Sequence, residues 1–226
     1  MLAQFSMARR PRLFGPVLLY HVIARGNQRQ QTFFEEADYG AYLRRLALYR
    51  ERDGVSLLAY CLMPNHVHLL VRTGDTPLSK FMQGVQQSYT LRFNRVYKKV
   101  GHLFQGRYHA IVCDSEPYLL TLVRYIHMNP VRAALTATPE EYPYSGHRTY
   151  VAGRRTALID PTLVLNLVGG TVAYARFVSP GQSEGHRADL YPASRPSAGP
   201  WQPDVRRRSR EACRSIGHGG VPRADC

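Results

Sequence analysis

Acidic residues are scarce in this sequence. Only 16 Asp and Glu stand against 30 Lys and Arg, which leaves a formal net charge of +14. An excess of that size predicts a polyanionic partner, with nucleic acid as the first expectation and an anionic membrane surface as the second. Most of the excess lies before residue 182, so the part of the chain expected to fold is itself basic.

Long apolar runs and paired cysteines are also missing. No window approaches the roughly 18 apolar residues that span a bilayer, and residues 1–12 lack the apolar core of a signal peptide. We therefore expect a cytoplasmic, nucleoid-associated protein with no membrane partner. The four cysteines lie far apart with no C-x-x-C pair, which argues against a disulfide framework and against a structural zinc site. Cys61 and Cys113 stand in apolar runs and are expected in the core.

The composition that is present suits a globular chain. With 44% hydrophobic and 11% aromatic residues, 226 residues can bury a sizeable core. We expect one main domain over residues 1–150 and a short C-terminal extension over 151–181, in which 160–168 form an amphipathic piece. Residues 182–226 are rich in Gly, Pro, Ser and Arg and are expected to be a basic disordered tail.

Apolar periodicity predicts four strands and three helices in the order β-α-β-β-α-β-α. The predicted elements are a strand over 17–24, a helix capped by Asp38 and ended at Gly54, strands over 56–63 and 67–73 joined by a Pro64-Asn65 turn, a helix over 77–99, a strand over 108–113, and a helix over 116–128 capped by Ser115. This order is that of a ferredoxin-like, split β-α-β fold: an α+β domain with one antiparallel sheet and helices on one face.

Two pairs of residues could carry chemistry. His66 and His68 are two apart on a predicted strand, so both side chains point to one face and could hold one metal ion, although one could equally be a core residue and the other merely polar. Tyr125 and Asn129 are four apart on the last helix and share a face, while Pro130 favours a kink or helix end at Asn129. With 15 tyrosines in the chain, spacing alone gives no preference for one of them as a nucleophile.

Three longer strings show a resemblance to a known family. LMPNHVHLLV (62–71), LFQGRY (103–108) and RYIHMNPVRA (124–133) occur in this order and with similar gaps in the REP-associated tyrosine transposases, a branch of the single-tyrosine HUH transposases. The resemblance covers residues 18–149, including Gly26-Asn27 and the segment 139–142. Tyr144-Ser145-Gly146 departs from the family, which more often has an aromatic residue and two serines there.

The resemblance implies a function and a site. His66, His68 and Asn129 would be ligands of a divalent metal, Mg²⁺ or Mn²⁺, and Tyr125 the nucleophile, carried by a helix that follows the sheet. The expected activity is metal-dependent cleavage and rejoining of single-stranded DNA through a 5′-phosphotyrosine, as in DNA transposition or the processing of palindromes. The expected partners are single-stranded DNA hairpins formed by palindromic repeats. A homodimer is one assembly that the sequence leaves open.

Basic side chains near these strings are candidates for contacts to DNA, although a solvated surface position explains each of them equally well. They are Arg25, Arg29, Arg92, Arg95, Lys98, Lys99, Arg107, Arg124 and Arg132. The alternative function is a catalytically inactive protein that binds single-stranded nucleic acid on the same ferredoxin-like fold. The His-Val-His pair argues against this alternative, because a stacking surface would carry aromatic residues at those positions.

Overall fold

The fold is described from a computed structural model, which covers residues 18–113 and 116–179. The described residues fall within a single unit of the chain, residues 1–185. The proposed cap Ser115 and the expected tail lie outside them. The elements are β1 (Leu19–Arg25), α1 (Glu36–Asp53), β2 (Ser56–Met63), β3 (His66–Arg72), α2 (Leu78–Tyr97), β4 (His109–Cys113), α3 (Glu116–His127), α4 (Asn129–Arg132), α5 (His147–Ala152), α6 (Thr162–Val168) and α7 (Thr171–Val178).

Four antiparallel strands form one sheet in the order β2-β3-β1-β4. This is the strand order of a ferredoxin-like fold, so the predicted α+β class is confirmed. Each of the crossovers β1-α1-β2 and β3-α2-β4 spans one intervening strand, and right-handed crossovers place both helices on the same face. In the described part of the chain, no helix is long and apolar enough to cross a membrane.

The core lies between the sheet and the α1–α2 layer. Val22, Val67 and Leu69 alternate with the residues of the other face and are fully buried. The two helices approach closely at Gly84, where a Cβ atom would overlap the Tyr49 ring. Cys61 and Cys113 are buried and form no disulfide, as expected.

The start of α1 differs from the prediction. Asp38 is not the N-cap; Glu35 is, and Asp38 is the third residue of a capping box. Its carboxylate accepts hydrogen bonds from the backbone N–H groups of Phe34 (3.0 Å) and Glu35 (3.4 Å). A carboxylate at the third position of a helix accepts hydrogen bonds from N–H groups that would otherwise be unpaired. An acidic residue such as Asp38 therefore marks a helix whose N-cap lies three residues earlier. The predicted end is confirmed: Gly54 adopts the left-handed conformation with φ of 63°.

The last predicted helix is interrupted at the residue before Asn129. α3 ends at His127, Met128 is the N-cap of α4, and Pro130 lies in the first turn of α4. Proline is tolerated there because the first N–H groups of a helix have no intrahelical partner. Asn129 therefore begins a new helical turn rather than ending the old one.

The C-terminal helices pack against α3 through a buried polar chain. The Tyr174 hydroxyl lies 2.7 Å from His127 Nδ1 and 3.0 Å from His147 Nδ1, and His147 Nε2 lies 2.9 Å from a Glu140 carboxylate oxygen. Tyr174, His127 and His147 are fully buried. Because buried polar groups need partners, these hydrogen bonds link α3 to α5 and α7. The sequence showed only the amphipathic piece, which forms α6.

We expect Tyr174→Phe to lower the free energy of unfolding by about 1–3 kcal/mol, because it leaves buried imidazole nitrogens without a partner while keeping the ring. Urea denaturation of the full chain measures this change. The matched control is Val172→Ala on the same helix, where the side chain is 67% exposed; its effect should stay within about 0.5 kcal/mol. Equal stability of the two variants would contradict a supporting role for this polar chain.

Candidate active site

Strand alternation and register bring three histidines to one face of the sheet. In the β1–β3 pair, Ile23 lies opposite His68 and Arg25 opposite His66. His21, two residues before Ile23, points to the same face. Since β1 and β3 are the two central strands, these rings lie in the middle of the sheet rather than at an edge.

Each histidine of the His-Val-His pair has its Nδ1 atom engaged. His68 Nδ1 lies 3.0 Å from His21 Nε2, and His66 Nδ1 lies 2.7 Å from the side-chain oxygen of Asn65. An amide oxygen only accepts, so His66 donates from Nδ1 and keeps the lone pair on Nε2. His66 can therefore present Nε2 to a ligand, and His68 can do the same when its own proton is on Nδ1.

Burial keeps these imidazoles neutral. Burial, together with the positive charge of Arg25, lowers the pKa of His66 to about 4. The pKa of His68 falls well below its usual value because the ring is buried and because a proton on it would be disfavoured by the neighbouring His21 and His66 rings and by the positive charges of Arg25 and Arg132. A neutral imidazole is the form that binds a metal ion.

Tyr125 lies against the same histidines. Its ring centroid is 5.6 Å from that of His68 and 5.8 Å from that of His21, both edge to face. The guanidinium carbon of Arg132 lies 4.8 Å from the centre of the Tyr125 ring. α3 thus crosses the histidine face of the sheet, opposite the α1–α2 layer, and brings a phenol to it.

Asn129 stands one turn beyond Tyr125. Its Nδ2 atom donates a hydrogen bond to the Tyr125 carbonyl oxygen at 2.8 Å. That bond fixes the amide group and leaves its oxygen as the atom that can act as a ligand. Met128, the N-cap of α4, separates Asn129 from the end of α3.

Three loops meet at the end of β3 where His66 lies. Gly26 N–H donates to Asn65 O (2.8 Å), and Asn27 N–H donates to Leu103 O (2.8 Å). A Cβ atom at Gly26 would overlap the Gln30 carbonyl, so a larger residue would push these loops apart. The first sequence string and the second therefore meet through the turn after β1.

Seven of the nine predicted DNA-contacting residues fall into two groups. Arg25 and Arg132 act electrostatically on His68 and so lie at the site. Five others have exposed side chains, which the structure leaves accessible to a ligand: Arg29, Arg95, Lys98, Lys99 and Arg107. The Lys99 ammonium lies 4.9 Å from the centre of the Phe34 ring. This contact connects the end of α2 to the segment between β1 and α1.

Arg92 and Arg124 have protein partners instead. Arg92 forms an ion pair with the buried Asp38 carboxylate at 2.7 Å. Arg124 Nε donates to the Phe177 carbonyl at 2.9 Å and so binds the end of α7. The sequence shows that these two residues are basic but not which distant residues they contact. It therefore could not distinguish Arg92 and Arg124 from the other predicted DNA contacts.

The donor set suits a divalent ion bound by few ligands. Among residues 18–113 and 116–179, no group of three or more His, Cys, Asp and Glu could hold a metal ion. Two neutral imidazoles and one carboxamide oxygen fit an ion that keeps open positions, and nitrogen ligands favour Mn²⁺ over Mg²⁺.

Two side chains that contact the histidine pair were not predicted as site residues. Asn65 was seen only as part of a turn, and His21 only as a residue in an apolar run. The available signal for His21 was a histidine inside a buried strand. Its partner His68 could not be predicted, because the contact depends on the register between two strands about 45 residues apart in sequence.

Known proteins resemble this chain in sequence and in fold. The family model of IS200-like transposases matches residues 16–129. The chain is similar in structure to a REP-associated tyrosine transposase bound to a REP hairpin, with a TM-score of 0.56, 17% identity and coverage of 67% of this chain and 90% of that one. It is also similar to a crystal structure described as a candidate transposase from Deinococcus radiodurans, with a TM-score of 0.38, 24% identity and coverage of 53% and 95%.

The likeness to the hairpin-bound transposase shows the fold alone. No protein of curated function matches the sequence.

Proposed function

The chain belongs to the IS200-like transposase family, and from that premise we propose that it cleaves and rejoins single-stranded DNA through a covalent bond to Tyr125. The observation that carries this proposal is the packing of the Tyr125 ring against His68, 5.6 Å between centroids. A phenol beside neutral imidazoles can supply both the nucleophile and metal ligands for attack on a phosphodiester. All of these side chains come from one chain, so the proposed site does not need a second copy, and a homodimer stays an expectation.

We propose His66, His68 and Asn129 as the metal ligands. When bound there, a divalent ion, Mg²⁺ or Mn²⁺, would supply Lewis-acid stabilisation of the negative charge that develops on the phosphate. The Nε2 lone pair of His66 and the fixed amide of Asn129 support this assignment.

Tyr125 acts as the nucleophile in this proposal. Its phenolic oxygen forms a bond to phosphorus while the bond from phosphorus to the 3′ oxygen breaks, and the phenolic proton passes through solvent to the departing 3′ oxygen. The products are a 5′-phosphotyrosine and a free 3′-hydroxyl. Attack of a 3′-hydroxyl on the phosphotyrosine rejoins DNA and restores the phenol, so no nucleotide cofactor is needed.

The substrate we propose is a single-stranded DNA hairpin formed by a palindromic repeat. The REP-associated transposase similar in fold was solved with such a hairpin. On this chain, exposed basic residues lie after β1, at the end of α2 and before β4, and phosphate contacts from them would hold a DNA strand. A DNA substrate also implies that the protein acts at the nucleoid in the cytoplasm.

We expect Tyr125→Phe to bind a labelled hairpin with unchanged affinity but to lose strand cleavage and the covalent adduct, because only the attacking oxygen is removed. Denaturing gel electrophoresis with Mn²⁺ measures both cleavage and adduct. The matched control is Tyr118→Phe. Tyr118 lies two turns earlier on the same helix, about 10 Å away along its axis, so this variant should cleave DNA like the unmodified protein.

Cleavage that persists in Tyr125→Phe would contradict the proposal. Hairpin binding with no cleavage by the unmodified protein in Mn²⁺ or Mg²⁺ would instead favour the catalytically inactive single-strand-binding alternative.

We expect the double change Arg95→Gln and Lys98→Gln to weaken hairpin binding and to reduce the dependence of the affinity on salt concentration, because both side chains are exposed at the end of α2. The slope of log affinity against log salt should fall by about 0.7–0.9 for each lost phosphate contact. Fluorescence anisotropy at several salt concentrations measures the slope. The control is Arg154→Gln with Arg155→Gln, which removes the same charge from the loop after α5; an equal effect of the two pairs would show that only net charge matters.

A further inference from the structure

His21 is a buried polar residue that the proposed chemistry does not use directly. It is fully buried in the central strand β1. Its Nε2 atom lies 3.0 Å from His68 Nδ1, and the two rings are stacked with centroids 5.3 Å apart and planes at 23°. The same ring contacts Tyr125 at 5.8 Å. One side chain thus borders both the proposed metal ligand and the proposed nucleophile.

We propose that His21 is a positioning residue for His68. It accepts a hydrogen bond from His68 Nδ1–H and so fixes the tautomer of His68 whose Nε2 lone pair is available to a divalent ion. This inference rests on the proposed function, because it assigns a role toward the metal site formed by His66, His68 and Asn129.

The arrangement around His66 supports this role. Histidine ligands of metals usually donate their second ring N–H to a neighbouring acceptor, which sets both tautomer and ring orientation. Asn65 serves that purpose for His66 at 2.7 Å. For His68 the corresponding atom is met by His21, which comes from a different strand. Each proposed imidazole ligand therefore has its own orienting partner.

A residue that only filled space would not need to be a histidine. The side chain is fully buried on the face of the sheet that also carries His66 and His68, and a phenylalanine would fill the same volume and remove a polar group from the core. What phenylalanine cannot provide is an acceptor for His68 Nδ1–H. Glutamine can, through its side-chain oxygen, which separates the hydrogen-bonding role from the packing role.

The test measures Mn²⁺ binding to the full-length protein without DNA, using the electron paramagnetic resonance signal of free Mn²⁺. We expect His21→Phe to raise the Kd for Mn²⁺ by about 10- to 100-fold, the usual cost of losing such a partner. His21→Gln should stay close to the unmodified protein, within about threefold. The control is His102→Gln, an exposed histidine in the loop after α2, which should not change the Kd.

The failure of this inference differs from the failure of the proposed function. If the unmodified protein binds Mn²⁺ and His68→Ala abolishes binding, but His21→Phe binds as tightly as the unmodified protein, the role of His21 is wrong and the metal site stands. If the unmodified protein binds no Mn²⁺, the metal site is wrong, and the role of His21 falls with it.

A second measurement does not depend on the variants folding. Long-range ¹H–¹⁵N correlation spectra of the unmodified, metal-free protein report which ring nitrogen of each histidine carries the proton. We expect His68 to be protonated at Nδ1. Protonation of His68 at Nε2 alone would overturn the inference whatever the Mn²⁺ titrations show.

Discussion

The antiparallel register between β1 and β3 is the constraint on which the site depends. Ile23 opposite His68 places His21, His66 and His68 on one face of the two central strands. A slip of one residue in β3 would turn its histidines into the core and Val67 and Leu69 to the other face. The burial of those two side chains under α1 and α2 therefore holds the histidines where α3 can reach them.

The position of Tyr125 depends in turn on how α3 is held. Arg124 binds the end of α7, and the chain from His127 through Tyr174 to His147 links α3 to α5 and α7. Residues on either side of Tyr125 are thus fixed by helices that follow it in sequence. This gives the C-terminal helices a role in the geometry of the proposed site, although they contribute none of its reacting groups.

Local patterns were sufficient to predict most of the fold. Hydrophobic alternation and turn residues gave β2 at its observed bounds and the Pro64-Asn65 turn, and the strand order followed from the sequence of elements. The position of His66 and His68 on one face of the sheet also follows from the two-residue repeat of a strand. Asp38 was misassigned as the cap because a capping-box carboxylate and an N-cap carboxylate look alike in sequence. The partners of His21, Arg92 and Arg124 could not be predicted, because each lies 47 or more residues away.

The central claim is that Tyr125, rather than water or another tyrosine, attacks the DNA. The most direct measurement is peptide mapping by mass spectrometry of the covalent product formed by the unmodified protein with a labelled hairpin and Mn²⁺. The structure predicts a nucleotide remnant on the peptide that contains Tyr125. A remnant on Tyr118 or Tyr108, or cleavage with no adduct at all, would contradict the account, and cleavage without an adduct would indicate hydrolysis by water.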